Sequence, residues 1–223
     1  LTSSSAAIIG DAIDCESYTN GIATEANWNT TSSVNHQAYN YSKVVAEKAA
    51  WEINKKQTRW DLVTINPSLV IGPGLNPFAT SESFNIVKQI GDGSMRFGIP
   101  EFYLGFVDVR DVAEAHIKAG FTPSASGRYI ISAENTNLLA LTQALNKKFG
   151  KAFPLPTRYL PKSIVWIFAP LVGFKRKMIT NNIGHVWKVD NTKSVQQLDM
   201  HYSPIDASIV EMFQQLVDNG VIK

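Results

Sequence analysis

A single cysteine, Cys15, in 223 residues excludes an internal disulfide and suits a reducing, cytoplasmic setting. Neither histidine nor a basic residue flanks it, so it reads as a bystander rather than a reactive thiol. An excess of one charge is also missing. With 21 Lys and Arg against 19 Asp and Glu the net charge is +2, which implies no strong field toward nucleic acid or membrane. The short basic clusters Lys147-Lys148 and Lys175-Arg176-Lys177 read as solvated faces, and the aromatics are scattered without a basic stripe, so no nucleic-acid partner is expected. Long apolar runs are absent too. The longest, residues 164–174, holds Pro170 and Gly173, is too short to cross a bilayer, and reads as a buried or interfacial helix, with no membrane partner expected. His36, His116, His185 and His201 show no metal-ligand spacing, and no metal is expected. A Gly-x-Ser-x-Gly elbow is lacking, which counts against an α/β-hydrolase.

What is present alternates between helical periodicity and short β-branched runs, the pattern of an α/β fold long enough for one large or two small domains. Residues 10–33 are polar and turn-rich and read as a long surface connection, pinned to the body by Trp28. Asn35 is placed to cap a helix running to about Lys56. On it, Tyr41, Val45, Ala49 and Ile53 form a stripe that reads as packing, while Tyr39, Lys43 and Glu47 share the face turned to chemistry. Residues 61–66 suit a buried parallel strand, ended by Pro67, which has no backbone donor. Ligands of open α/β sheets lie beyond the carboxyl ends of strands, which places residues 66–72 at a ligand.

Farther on, helices are expected over residues 83–90 and from the Asp108/Asp111 capping pair to Gly120, with strands at 106–108 and 128–133. Asn137 caps residues 138–149, where Leu138, Leu141, Leu145 and Phe149 form a stripe before the Gly150 stop. Pro161 suits the first turn of another helix. Residues 190–198 read as a short polar helix. The last helix is opened by a Ser203-Pro-Ile-Asp206 capping box and carries the stripe Ile205, Ile209, Phe213, Leu216 and Val217.

The chemistry gathers at Tyr39-Asn-Tyr-Ser-Lys43, which sets a phenol and an ammonium four residues apart and hence on one helix face. An ammonium beside a phenol favours the phenolate, which moves a phenol from its ordinary pKa of about 10 toward the range a general acid and base needs. Tyr41, two residues from Lys43, faces elsewhere, so Tyr39 is the chemical candidate. The chain opens Leu1-Thr-Ser-Ser-Ser-Ala6, the end of a strand entering a hydroxyl-rich turn.

A serine turn, then Tyr-x-x-x-Lys heading a helix, then a strand ending in Asn66-Pro67 and Gly72-Pro73, resembles the extended short-chain dehydrogenase/reductases, the NAD-dependent epimerase/dehydratase family. The likeness is greatest to the dihydroflavonol-reductase-like aldehyde and ketone reductases. It continues through Phe106-Val-Asp-Val-Arg-Asp-Val-Ala113 and Gly127-Arg-Tyr-Ile130 over nearly the whole chain. The resemblance implies reduction of a small-molecule carbonyl to an alcohol with NADP or NAD, NADPH being favoured. By the same resemblance, Tyr39 is the general acid and Lys43 lies at the nicotinamide ribose. Matching the Leu-Thr-Ser-Ser pattern makes Ser4 the hydroxyl at the carbonyl oxygen, while counting back from Ala6 favours Ser5; Ser4 is taken as catalytic and Ser5 as substrate-facing. Pro67, Ser68 and Val70 are implied for the nicotinamide end of the cofactor site, and His36 and Leu69 for substrate. Arg110 is explained as well by a fold-holding ion pair or cap as by catalysis.

The implied fold is the C-terminal part of a Rossmann-type doubly wound parallel sheet, residues 1–73. A smaller mixed α/β substrate domain occupies residues 74–223, of which about 104–120 return to the first. The family's glycine-rich pyrophosphate turn does not occur in the sequence, and Gly91-Asp-Gly93 does not replace it. The first βαβαβ half is therefore expected to be absent here and present in a longer gene product. Relatives sharing Ser, Tyr and Lys leave a sugar-nucleotide epimerase or dehydratase, or a hydroxysteroid dehydrogenase, as alternatives. A non-catalytic dinucleotide-binding or interaction module is a further one. A homodimer through a helix pair containing residues 39–56 is the implied assembly.

Overall fold

In the computed structural model, which describes residues 1–76, 78 and 80–223, the β-branched runs become strands Val63–Pro67 (β1), Leu69–Ile71 (β2), Tyr103–Asp108 (β3), Gly127–Ile131 (β4) and Glu134–Asn137 (β5). The helices are Ala38–Asn54 (α1), Glu82–Gly91 (α2), Val109–Phe121 (α3), Leu138–Phe149 (α4), Lys162–Phe168 (α5), Arg176–Asn182 (α6), Thr192–Leu198 (α7) and Ile205–Asp218 (α8). β1 and β4 pair in parallel, and Thr2 bridges in parallel to Ile65 on the other side of β1. Parallel neighbours need crossovers. The chain makes them through α1, between Thr2 and β1, and through α3, between β1 and β4. This is the parallel α/β winding that the pattern implied.

A second sheet has the order β2-β3-β5, with β2 parallel and β5 antiparallel to β3. Pro67 therefore does not end the extended run. It closes β1, and the chain steps at Ser68 into β2 of the other sheet, with the Ser68 amide donating to the Ile131 carbonyl at 3.0 Å. β4 makes a similar step at Ser132 before β5. Gly105 lies against both steps; a Cβ there would come within 2.6 Å of the Ser132 hydroxyl and 2.8 Å of the Ser68 Cβ.

The largest core joins α2, α4 and α8 to β2 and β3, with Phe106, Leu145, Ile209 and Phe213 fully buried. Asn137 caps α4, accepting from the Ala140 amide at 3.1 Å, and the apolar stripe of α8 lies in this core as its spacing predicts. A second core sets α3 against β1 and β4 through Ala115, Ala119, Ile65 and Tyr129.

Several local expectations are corrected. Residues 10–33 are not a surface connection. Short 3-10 turns at Ala12–Ser17 and Thr19–Gly21 bury Ala12, Cys15 and Ala23 in a third cluster with Ile8, Ile9, Ile130 and Trp187. Trp28 does pin this stretch, its ring lying 3.9 Å from the Arg128 guanidinium carbon and 5.2 Å from Lys48 Nζ. Asn35 does not cap α1, because the residue before the helix is Gln37 in left-handed backbone (φ 55°, ψ 52°). The Ser203 box does not form either, since Ser203 turns its amide and hydroxyl to Asp111, each at 2.8 Å. The Tyr41, Val45 and Ile53 stripe is exposed; most of the 164–174 run is exposed as well, which removes the buried alternative and leaves the interfacial one.

Candidate active site

α1 carries Tyr39, Lys43 and Glu47 at successive turns of one face, and this face passes from solvent into the protein. Tyr39 is 63% exposed, Lys43 is half-buried and Glu47 is 1% exposed. Lys43 Nζ lies 5.5 Å from the centre of the Tyr39 ring, within cation–π range. Neither the Tyr39 hydroxyl nor Lys43 Nζ has a protein hydrogen-bond partner among the described residues, so both face outward with free donors. α1 packs against the turn Ser5–Ala7. Ser4 precedes that turn in extended backbone, and its hydroxyl accepts from the Ala6 amide at 3.1 Å. Ser5 is buried. No hydrogen bond joins Ser4 to Tyr39 or Lys43 among the described residues.

Glu47, read from the sequence as part of the chemical face, is instead the anchor of α1. Its carboxylate takes Arg128 Nε at 2.6 Å, Asn66 Nδ2 at 2.7 Å and Trp51 Nε1 at 3.3 Å, and accepts the Ser3 hydroxyl as well. Arg128 Nη1 donates to the Glu25 and Asn27 carbonyls, at 2.8 and 2.5 Å, and its Nη2 reaches the Ala7 carbonyl at 3.5 Å. Asn66, expected to meet a ligand, is fully buried and also donates to the Ser4 carbonyl at 3.1 Å. The serine turn, the Tyr39 helix and the β1–β4 sheet are thus tied through one carboxylate.

A second buried carboxylate holds the beginning of the helix. Asp11, 1% exposed, contacts His36 Nε2 at 2.6 Å and accepts from Gln37 at 3.1 Å, Asn181 at 2.8 Å and Asn182 at 2.7 Å. Burial pushes the Asp11 carboxyl up, but the hydrogen bonds from Asn181, His36, Asn182 and Gln37 outweigh it and hold it below the usual carboxylate range. His36 is therefore buried and occupied. Lys175 adds a bond from its ammonium to the Asn35 carbonyl. Asp11, Asn181 and Asn182 were not singled out from the sequence, since no local signal links residues 170 apart.

Of the residues assigned to the nicotinamide end, Pro67 and Ser68 are buried, the Ser68 hydroxyl donating to the Ile131 carbonyl at 3.4 Å, and Val70 packs on the α3 core. Leu69 packs on the opposite core, with α2 and α8. Arg110 forms the ion-pair arrangement, donating to both Asp108 oxygens at 2.8 and 2.7 Å and reaching Glu211 at 2.9 Å, which ties α3 to α8. Burial raises the Asp108 carboxyl, and the bonds from Arg110 and Ser208 more than reverse this and leave it below its ordinary range. Burial pushes the Cys15 thiol up, as for an inert core thiol. Two shallow concavities, of about 360 and 270 Å³, are lined by residues such as Gln215 and His116; Tyr39, Lys43 and Ser4 line neither.

Comparison with known proteins gives one family match and many relatives. The model of the NAD dependent epimerase/dehydratase family matches residues 1–131. Cinnamoyl-CoA reductase CAD2 of Medicago truncatula is 30% identical over 219 residues, which are 97% of this chain and 59% of that protein. The NADPH-dependent methylglyoxal reductase GRE2 of Saccharomyces cerevisiae is 33% identical over 132 residues, 56% of this chain and 39% of its own. The crystal structure of Gre2 from Candida albicans superposes with a TM-score of 0.70 at 27% identity, covering 98% of this chain and 64% of that one. The chain spans 34% to 59% of the length of the curated relatives it matches.

Proposed function

The chain belongs to the NAD dependent epimerase/dehydratase family, and from that membership we propose that it is the catalytic part of an NAD(P)H-dependent reductase that converts an aldehyde or ketone to an alcohol. The observation that carries this reading is the pair at the open end of α1: a phenol and an ammonium one turn apart, neither with a hydrogen-bond partner among the described residues, beside the serine turn on which the helix rests. The naming of its relatives as reductases of carbonyl compounds points the same way.

The donor set fits one end of the cofactor. A free hydroxyl and a free ammonium on one face suit the hydroxyls of a nicotinamide ribose, and Pro67, Ser68 and Val70 are assigned to that end. The glycine turn that would take the pyrophosphate is not in this sequence. When bound, the reduced nicotinamide supplies a hydride to the carbonyl carbon. As that carbon gains the electron pair, negative charge grows on the oxygen, and Tyr39 donates its phenolic proton there, giving the alcohol. Lys43 supports the phenolate left behind and holds the ribose. Ser4 donates a hydrogen bond to the oxygen as its charge develops. Ser5 and Leu69 are assigned to the substrate side, while His36, held on Asp11, is taken from that role and positions the start of α1. Residues 1–73 then form the cofactor-facing part, and residues 74–223, apart from about 104–120, the substrate-facing part.

The test is Tyr39→Phe in the full-length protein, read as NADPH oxidation with aldehyde and ketone substrates. We expect a loss of about 100-fold or more in turnover with circular dichroism unchanged. A fully active variant would refute the assignment.

A further inference from the structure

The net charge of +2 conceals a sharp segregation: between Glu134 and Asp190 there is no acidic residue, while nine of the 21 Lys and Arg fall there. The same segment holds the exposed apolar run. Ile167, Phe168, Leu171, Val172 and Phe174 are each more than half exposed, and Trp166 is 39% exposed. These side chains stand on a folded element. α5 continues into a 3-10 turn at Ala169–Val172, Gly173 closes it in left-handed backbone, and the Phe174 amide returns to the Ala169 carbonyl at 2.9 Å. Ala169 is buried on Ile179 and Ile183 of the chain that follows, which turns the bulky residues outward.

Cations stand at both ends of this apolar surface: Lys162 before it, and Lys175, Arg176 and Lys177 after it. None of the four is in an ion pair among the described residues. Lys162 is fixed on the Thr180 and Ile183 carbonyls, and the Arg176 guanidinium carbon lies 4.4 Å from the Trp166 ring centre. From Ile164 to Phe174 the indole N–H is the sole polar side-chain group.

We propose that this surface docks on an anionic lipid bilayer, with the α5 turn in the headgroup and upper acyl region and Arg176 and Lys177 at the phosphates. Two features favour lipid over a protein partner. A protein interface offers about one hydrogen bond per 100–200 Å², whereas this patch has almost no side chain to make one. An apolar face with Trp at its rim and uncompensated cations around it is the composition of interfacial segments. No helix among the described residues is long and apolar enough to cross a membrane. The expectation of no membrane partner rested on the average charge and on the run's being too short to cross a bilayer, neither of which speaks to a local surface contact.

The experiment is co-sedimentation of the full-length protein with phosphatidylcholine vesicles and with vesicles of about three parts phosphatidylcholine to one of phosphatidylserine. Binding at least about tenfold tighter to the anionic vesicles is expected, falling as salt screens the charges. Leu171→Glu with Val172→Glu, both at exposed positions, should abolish it, and Arg176→Glu with Lys177→Glu should weaken it about tenfold. Failure of the folded chain to bind anionic vesicles overturns the proposal. Undiminished binding by the Leu171/Val172 variant does so too, because another face would then be responsible. A dimer in solution that this variant dissolves, without vesicle binding, would assign the patch to a second copy of the chain instead. None of these readouts involves cofactor or carbonyl substrate, so they stand apart from the reductase reading.

Discussion

Glu47 and Asp11 are equally buried and both hold α1, but Glu47 meets the permanent charge of Arg128, whereas Asp11 is held by three side-chain amides and the ring of His36. The partners also come from different places. Those of Glu47 lie on Thr2's neighbour Ser3, on β1 and β4, and on the helix itself, so this end of α1 is fixed to the sheet. Those of Asp11 come from the residues just before α1 and from α6, so the end bearing Tyr39 is fixed to α6. The comparison separates two tasks within one helix. One carboxylate sets the frame, and the other sets how α6 meets the Tyr39 end.

Removing the frame should cost most. Glu47→Ala leaves the Arg128 charge buried without its partner, and a loss of about 3–5 kcal/mol in urea denaturation is expected; a loss below about 1 kcal/mol would show that the network does not hold the helix. Asp11→Asn keeps the shape but replaces an acceptor-only group, and a smaller loss of about 1.5–3 kcal/mol is expected. Equal losses for the two variants would erase the distinction drawn here. pH sharpens it further. Because the Asp11 carboxyl lies below its ordinary range when folded, the unfolded chain takes up the proton first. Its contribution is thus complete above the ordinary carboxylate pKa of about 3.9 and is lost as pH falls below it toward the folded value. Asp11→Asn should reduce the acid sensitivity in that window while leaving the part due to Asp108. The smallest effect is expected at the free end: Tyr39→Phe removes an exposed hydroxyl with no partner among the described residues and should change stability by less than about 0.5 kcal/mol.

The parts legible in the sequence were those in which one period or one cap decides the outcome. Asn137 and Gly150 bound α4, the 3.6-residue stripe from Ile205 to Leu216 fills the core, and the four-residue spacing brings Lys43 to Tyr39. Residues 10–33 defeated such a reading because 3-10 turns bury Ala12, Cys15 and Ala23 at no regular interval. Asn35 carried a cap's composition, but Gln37 takes the left-handed backbone before the helix, and its amide is drawn to Asp11. Ser203 likewise had a nearer rival in Asp111. The Tyr41 stripe showed a helical period without showing what, if anything, covers it. The Asp11 cluster joins residues brought together only by the tertiary fold, and no spacing rule reaches it.

The two neighbouring steps at Ser68 and Ser132 have a mechanical consequence. Two strands leave one sheet and join the other at almost the same place, with Gly105 filling the gap between them. The sheets are therefore joined along a single line of flexure rather than at scattered points. Any rotation of one against the other has to bend both strands there together, and a side chain added at Gly105 would act as a wedge in the joint.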